Sequence, residues 1–316
     1  MSNNNQLSKQ PATSEVSRPI ENLKTMISSV SVQAQFKNAL GAHKDTFVAS
    51  LIDLFTGDKS LQKCKPAAII SEALRAATLN LPLNKALGFS YIVVYDNNVK
   101  DPVTGAWSKV PTPTFIPGYK GYIQLAMRTG QYKTINADYV YEGELRKVNK
   151  LSGEIAFDGD KVSDKVVGYF CYFELLNGFS KTLYMSVENM AEYAKRYSPS
   201  IKNNKELTVE KLIEKAQSGV TSTTVGWEGN FNDMALKTVI RRLLSKYGYL
   251  SVEMVNAISK DEEADNAAAV RNGENDEDLT TVDVEGVDVT TGEVLDHSAP
   301  SAQAIPSAAM PAGPAY

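Results

Sequence analysis

The sequence predicts an α+β fold, with helices first, a block of antiparallel strands in the middle and a long helix behind it. Three observations predict it. Apolar residues recur at helical spacing from Ile20 to the residues before Phe89. The block Phe89–Met185 is β-branched and aromatic, and Asn177-Gly178 separates two alternating runs, a strong local hairpin signal. Trp227–Tyr249 then returns to helical spacing.

In chain order, residues 1–19 are rich in Asn, Gln and Ser and are expected to be disordered. They carry no apolar h-region, which argues against a signal peptide. Between Ile20 and about Leu40 two short amphipathic helices are expected, with Leu23, Met26, Ile27 and Val30 as an apolar stripe. Phe47–Phe55 reads as a stronger helix closed at Gly57. Pro66 suits the first turn of another helix, which places Ile69, Ile70, Leu74 and Ala77 in register. Phe89–Tyr95 reads as a strand and Thr114–Ile116 as its return. Asp96–Pro113, rich in Gly, Pro and Asn and containing Trp107, reads as a long hairpin loop or a disordered tip.

Phe115–Tyr132 begins as a strand, breaks at Pro117-Gly118 and turns helical. Tyr119, Tyr122, Ile123 and Ala126 fall on one face, Lys120, Gln124 and Arg128 run along a neighbouring one, and Gly130 is a natural stop. A helix N-terminus beside cations and tyrosines suits a phosphate backbone with bases to stack. From these eighteen residues alone, an ordinary packed helix with a solvated edge is the favoured reading.

Further strands are expected at Ile135–Glu142 and Ile155–Phe157, flanking a polar turn, and at Val166–Leu175 and Phe179–Met185, the hairpin. Val167, Tyr169, Cys171 and Phe173 share a face, which makes Cys171 a core residue. Val187–Tyr197 reads as a helix with Ser186 as N-cap. Ser198–Val225 reads as polar and mobile, with a helical piece at Leu207–Gln217. In Trp227–Tyr249 the apolar arc is Leu236, Val239, Ile240, Leu243 and Tyr247. Lys237 and Arg241 border it on one side, and Arg242 and Lys246 on the other. No acidic residue lies between Asp233 and Glu253, which shifts the weight toward an anionic partner.

Charge is unevenly placed. The net charge is −4, yet residues 259–316 carry two basic against thirteen acidic residues, and residues 1–258 carry 31 basic against 24 acidic. A basic body with an acidic, disordered tail is common among nucleic-acid binders and also serves solubility alone. Two cysteines, Cys64 and Cys171, suit a reduced compartment. Two histidines, His43 and His297, leave little for a His triad or a zinc site. No apolar run reaches the length of a membrane span. GxxxxGK[ST], CxxC, HExxH and GxSxG are all absent, and Gly118-x-x-Gly121 is too short for a dinucleotide fingerprint. Asp158, Asp160 and Asp164 fall in a turn, where a solvated loop outweighs a nuclease metal site.

Three blocks carry a family resemblance: Leu79–Tyr95 (LNLPLNKALGFSYIVVY), the GYKGYIQLAMRTGQ core of Phe115–Tyr132, and Trp227–Glu253 with W-x6-M-x2-K-x3-RR spacing. In this order they resemble the RecT family of phage and prophage single-strand annealing proteins, over roughly residues 20–258. The resemblance implies a small antiparallel sheet backed by a helix, of β-β-β-α type, with flanking N-terminal helices. It implies an ATP-independent, non-enzymatic protein without a cofactor, acting in the bacterial cytoplasm. Such a protein coats single-stranded DNA, assembles into rings or helical filaments and pairs complementary strands. Its implied partners are DNA, further copies of itself, a phage exonuclease and a host single-strand binding protein. The residues expected on DNA are the cations Lys120, Arg128, Lys133, Lys237, Arg241, Arg242 and Lys246, with Tyr119 and Trp227 as candidates for stacking on bases or, alternatively, for the core. The rival readings are a metal-dependent nuclease and a phage assembly or scaffold protein.

Overall fold

The computed structural model describes residues 17–100, 105–149, 151, 153–202, 204–219, 221–222 and 226–271. All of them lie within one compact unit, Met1–Glu274. The disorder expected for residues 1–16 and 272–316 falls outside the described residues.

The chain opens with four helices, α1 (Ser17–Ile27), α2 (Val30–Leu40), α3 (Lys44–Gly57) and α4 (Pro66–Thr78). Pro66 stands in the first turn of α4, where its missing N–H costs nothing. The helix buries Ile69, Ile70, Ala73, Ala76 and Ala77. Leu23, Ile27, Phe36, Phe47, Leu51 and Phe55 join the same core. The expected α1–α2 stripe is thus split: Leu23 and Ile27 are buried, while Met26 faces solvent and Val30 is 87% exposed.

The next element corrects the expected loop. β1 (Ser90–Lys100) and β2 (Trp107–Pro117) form one antiparallel ribbon with eleven paired positions, from Ser90↔Pro117 to Lys100↔Trp107. Pro111 and Pro113 pair opposite Asp96 and Val94. A two-stranded ribbon tolerates them because each strand keeps one open edge, where no N–H is required. The ribbon is buried at its root and exposed toward Trp107.

α5 (Tyr119–Arg128) follows at once. Its buried face is Gly121, Tyr122, Leu125 and Ala126, rotated from the expected one, so Tyr119 and Ile123 are only half-buried. Gly118 and Gly121 explain themselves here. A Cβ on either would stand 2.2 Å from the carbonyl oxygen of Gly88 or Phe89, so only glycine lets the helix start reach this backbone. The Gly118 N–H donates to the Phe89 carbonyl at 3.0 Å.

β3 (Tyr132–Tyr141), β4 (Lys147–Val148), β5 (Ile155–Ala156), β6 (Val166–Leu175) and β7 (Ser180–Ser186) complete the strands. β3, β6 and β7 form the main antiparallel sheet in the order β3-β6-β7, and β4 and β5 pair only with each other. The strand expected at Ile155–Phe157 is therefore part of a small arm rather than a neighbour of β3. Asn177-Gly178 turns the hairpin, with Gly178 at φ +86°. Tyr169, Cys171 and Phe173 point into the core.

α6 (Val187–Tyr197) starts on Ser186, whose hydroxyl accepts the Asn189 N–H at 3.2 Å. α7 (Pro199–Lys202) and α8 (Val209–Ser218) occupy the stretch expected to be mobile, and Ile201, Leu207, Leu212 and Ala216 are buried there. α9 (Phe231–Tyr247) lies across the sheet and against α5. α10 (Val252–Arg271) runs through position 259, where disorder was expected to begin. The described fold is α+β, with a three-stranded antiparallel sheet backed by α9 and helices around it. Among the described residues no helix is long and apolar enough to cross a membrane.

Candidate nucleic-acid interface

The three sequence blocks meet in the structure, and their charged residues separate into anchors and surface groups. Arg128, at the end of α5, donates to the carbonyls of Leu79 and Asn80, both at 2.8 Å. It thereby ties the second block to the first, at the end of α4. Lys133 pairs with Glu174 across β3 and β6 at 2.7 Å.

Lys237 and Arg241 turn inward, toward α10. Lys237 is buried and pairs with Asp261 at 2.5 Å, and Arg241 reaches the second oxygen of the same carboxylate at 3.0 Å. The Tyr122 hydroxyl donates to that oxygen, also at 3.0 Å. Burial opposes the charge of Asp261, but the two cations and the hydroxyl hold its carboxyl below the ordinary value. Trp227 is buried as well. Its ring packs edge-on to Phe231 at 5.2 Å and lies 6.5 Å from Tyr193. Four residues expected on DNA, Arg128, Trp227, Lys237 and Arg241, thus hold helices together in this fold.

Arg242 and Lys246 face the other way, toward β7 and α6, and there cations and aromatic rings alternate. Lys181 and Lys246 stand 5.4 and 5.6 Å from the Tyr247 ring centre. Arg242 lies 5.4 Å over Tyr193, Tyr193 is 4.8 Å from Tyr197, and Arg196 is 5.2 Å over Tyr197. Arg242, Tyr193, Arg196, Tyr197, Met185, Asn189 and Glu192 line one shallow concavity. Among the described residues Lys181, Arg196, Arg242 and Lys246 make no ion pair. Three exposed cations and the half-buried Lys181, beside tilted rings, suit a phosphate backbone with bases against it. Sequence reasoning found Arg242 and Lys246 and missed the rest. The signal was present in α6, where Tyr193, Arg196 and Tyr197 fall at i, i+3 and i+4.

Tyr119 and Lys120 sit on a second surface, at the start of α5. Lys120 lies 5.8 Å from the Tyr119 ring centre. Tyr91, Tyr139 and Asp233 complete the surroundings: burial first, then the negative charge of Asp233, raises the hydroxyls of Tyr91 and Tyr119 and pushes that of Tyr139 up to about 12. Burial also raises the Asp233 carboxyl, partly offset by Lys120.

Among the described residues no cluster of three His, Cys, Asp or Glu could hold a metal ion. Asp164 of the acidic turn pairs with Lys161 at 2.6 Å. Burial pushes the Cys64 thiol up to about 11 and the Cys171 thiol up to about 12, the behaviour of unreactive core cysteines.

A three-stranded antiparallel sheet backed by α9, with a strip of cations and tyrosines beside it, defines an α+β class with a surface suited to anions. The particular family follows from comparison with known proteins. The RecT family model matches residues 45–280, and the chain belongs to the RecT family. It is 40% identical over 242 residues to the "Uncharacterized protein YqaK" of Bacillus subtilis (strain 168), covering 76% of this chain and 72% of that one. It is 25% identical over 248 residues to "Protein RecT" of Escherichia coli (strain K12), covering 76% and 74%. Membership brings the family's activity, binding of single-stranded DNA and annealing in recombination.

Proposed function

We propose that this chain binds single-stranded DNA along the Lys181–Tyr247–Lys246–Arg242–Tyr193–Tyr197–Arg196 strip and pairs complementary strands without nucleotide hydrolysis. The observation that carries the reading is the strip itself: four cations without acidic partners alternate with three tyrosines in a chain of the RecT family. Annealing breaks no covalent bond. It needs neutralised phosphates and bases held within reach of a complement, and the strip offers both. The missing GxxxxGK[ST] supports ATP independence. A phage or prophage role, work beside an exonuclease or a host single-strand binding protein, assembly into rings or filaments, and a cytoplasmic site of action belong to the same proposal. Arg242 and Lys246 remain in the proposed contact set. Lys237 and Arg241 leave it, because phosphate would have to displace Asp261.

The test is Arg242→Ala with Lys246→Ala in the full chain, measured by the anisotropy of a labelled oligonucleotide without ATP. Both side chains are exposed, so the fold is spared. Single-strand binding should show a log–log salt slope of about −3 for four phosphates, and the double variant should lose about 1.4 units of it. Affinity at low salt should fall about tenfold. An unchanged slope and affinity would remove the strip from the DNA path. Loss of labelled strand in magnesium would instead favour a nuclease, and absence of any binding a scaffold role.

A further inference from the structure

We propose that the far end of the β1–β2 ribbon is a further contact for single-stranded DNA, with the Trp107 ring stacked on a base and Lys109 on the adjoining phosphate. This rests on the DNA-binding reading above and adds a second contact to it. The strip and the ribbon end hold different stretches of strand, and nothing held at one has to pair with what is held at the other.

The ribbon is anchored at its root and bare at its end. Ile92 and Phe115 are buried at the root. The Glu72 carboxylate of α4 accepts the Phe115 N–H at 2.8 Å, and the Ser90 hydroxyl donates to the Pro82 carbonyl, also at 2.8 Å. α4 and α10 both pack against β2. Trp107 stands eight residues before Phe115 in the same strand, about 27 Å away along it. Exposure rises over that distance, and Trp107 is 68% exposed, whereas the other tryptophan of the chain, Trp227, is 5% exposed.

The register says what stands beside the indole. Alternate residues of a strand share a face, and so do residues opposite each other in an antiparallel pair. The face that buries Ile92 and Phe115 at the root therefore carries Trp107, Lys109 and Asn98, the partner of Lys109, at the far end. Lys109 and Asn98 are exposed. Among the described residues Lys109 makes no ion pair. Two residues of strand separate the indole from this ammonium by about 7 Å. The acidic Asp96 shares the face but pairs with Pro111, about 14 Å nearer the root. An indole that serves a protein contact sits at the centre of a well-packed patch. Here its neighbours are a free cation and an amide, which suit a polymer of flat bases joined by phosphates.

The experiment uses the full chain and a long oligothymidylate. With Trp227→Phe as background, Trp107 is the one indole that emits, and its emission should fall as the strand binds, in step with anisotropy. In the otherwise natural chain, Trp107→Ala and Trp107→Leu should each lose about tenfold in affinity, because leucine keeps apolar bulk but no flat face. Their salt slope should not change, since no charge is removed. Trp107→Phe should stay within about threefold of wild type. Lys109→Ala should lower the log–log salt slope by about 0.7, one phosphate on a single strand. Binding without any loss of indole emission, or wild-type affinity in Trp107→Ala, would overturn the ribbon contact and leave the strip intact. A fall in the oligomer mass of Trp107→Ala without DNA would also overturn it, by giving the ribbon end to a second copy of the chain. Failure of the wild-type chain to bind any strand would overturn the functional reading itself.

Discussion

At the scale of single residues, one carboxylate does most to decide which cations of α9 face solvent. Asp261 is only 1% exposed and draws Lys237, Arg241 and the Tyr122 hydroxyl inward, so the i, i+4 pair that borders the apolar arc becomes internal. Asp261→Asn leaves Lys237 buried without a countercharge and should destabilise the fold by about 3–5 kcal/mol at neutral pH, measured by urea unfolding. The native carboxyl lies below its ordinary 3.8. Its stabilisation is therefore complete above that value and disappears as pH falls through the lower native one. The gap between wild type and variant should narrow in strong acid, and a gap independent of pH would show that ionisation at Asp261 does not matter. Trp227 teaches a related lesson. Its aromaticity suggested stacking on bases, but it stands behind Tyr193. Trp227→Ala should cost about 3–5 kcal/mol of stability, as large core truncations do. Trp227→Phe should keep both the fold and DNA binding.

At the scale of elements, what was legible in the sequence was local. Pro66 at the start of α4, Ser186 capping α6, Asn177-Gly178 in the hairpin and the apolar arc of α9 each declare themselves within a few residues. The ribbon did not, because Asp96, Asn97, Asn98 and the two prolines are poor strand residues, and only pairing of β1 with β2 makes them a strand. α10 did not, because the residue that docks it is an aspartate in an acidic run whose partner lies 24 positions earlier. Among the site residues, Arg242 and Lys246 were legible from the helical wheel; the strip they join was not, because β7, α6 and α9 meet only in the fold. The element-scale prediction concerns α10. Truncation after Ile258, the boundary suggested by composition, removes Asp261 and should give a poorly folded protein. Truncation after Arg271 retains it and should match the full chain in thermal midpoint to within a few degrees. Equal midpoints for both truncations would refute an anchoring role for α10.

For the whole molecule, charge and assembly set the expectations. Residues 272–316 hold nine acidic and no basic side chains. A chain ending at Arg271 should bind single-stranded DNA more tightly at low salt, and the gain should shrink toward physiological ionic strength, where the Debye length is about 8 Å. Equal affinity at low salt would leave the tail a solubiliser or a peptide read by another protein. The N-terminal apolar stripes are largely consumed inside the chain by α4. Of the stripe Leu23, Met26, Ile27 and Val30, the two residues left exposed to a neighbour are Met26 and Val30. Met26→Glu with Val30→Glu should lower the oligomer mass in light scattering without changing the helical signal, and an unchanged mass would place the subunit contact elsewhere.

The distance from Lys237 to Asp261 also has a meaning in time. A ribosome adds about 5–20 residues per second, and 24 residues separate the two groups. For about 1–5 s of every synthesis, Lys237 and Arg241 exist without the carboxylate that later neutralises them. Burying α9 before α10 is made would bury Lys237 without its countercharge, so we expect the core to close after α10 has been made. Until then both cations lack the partner that the finished fold gives them.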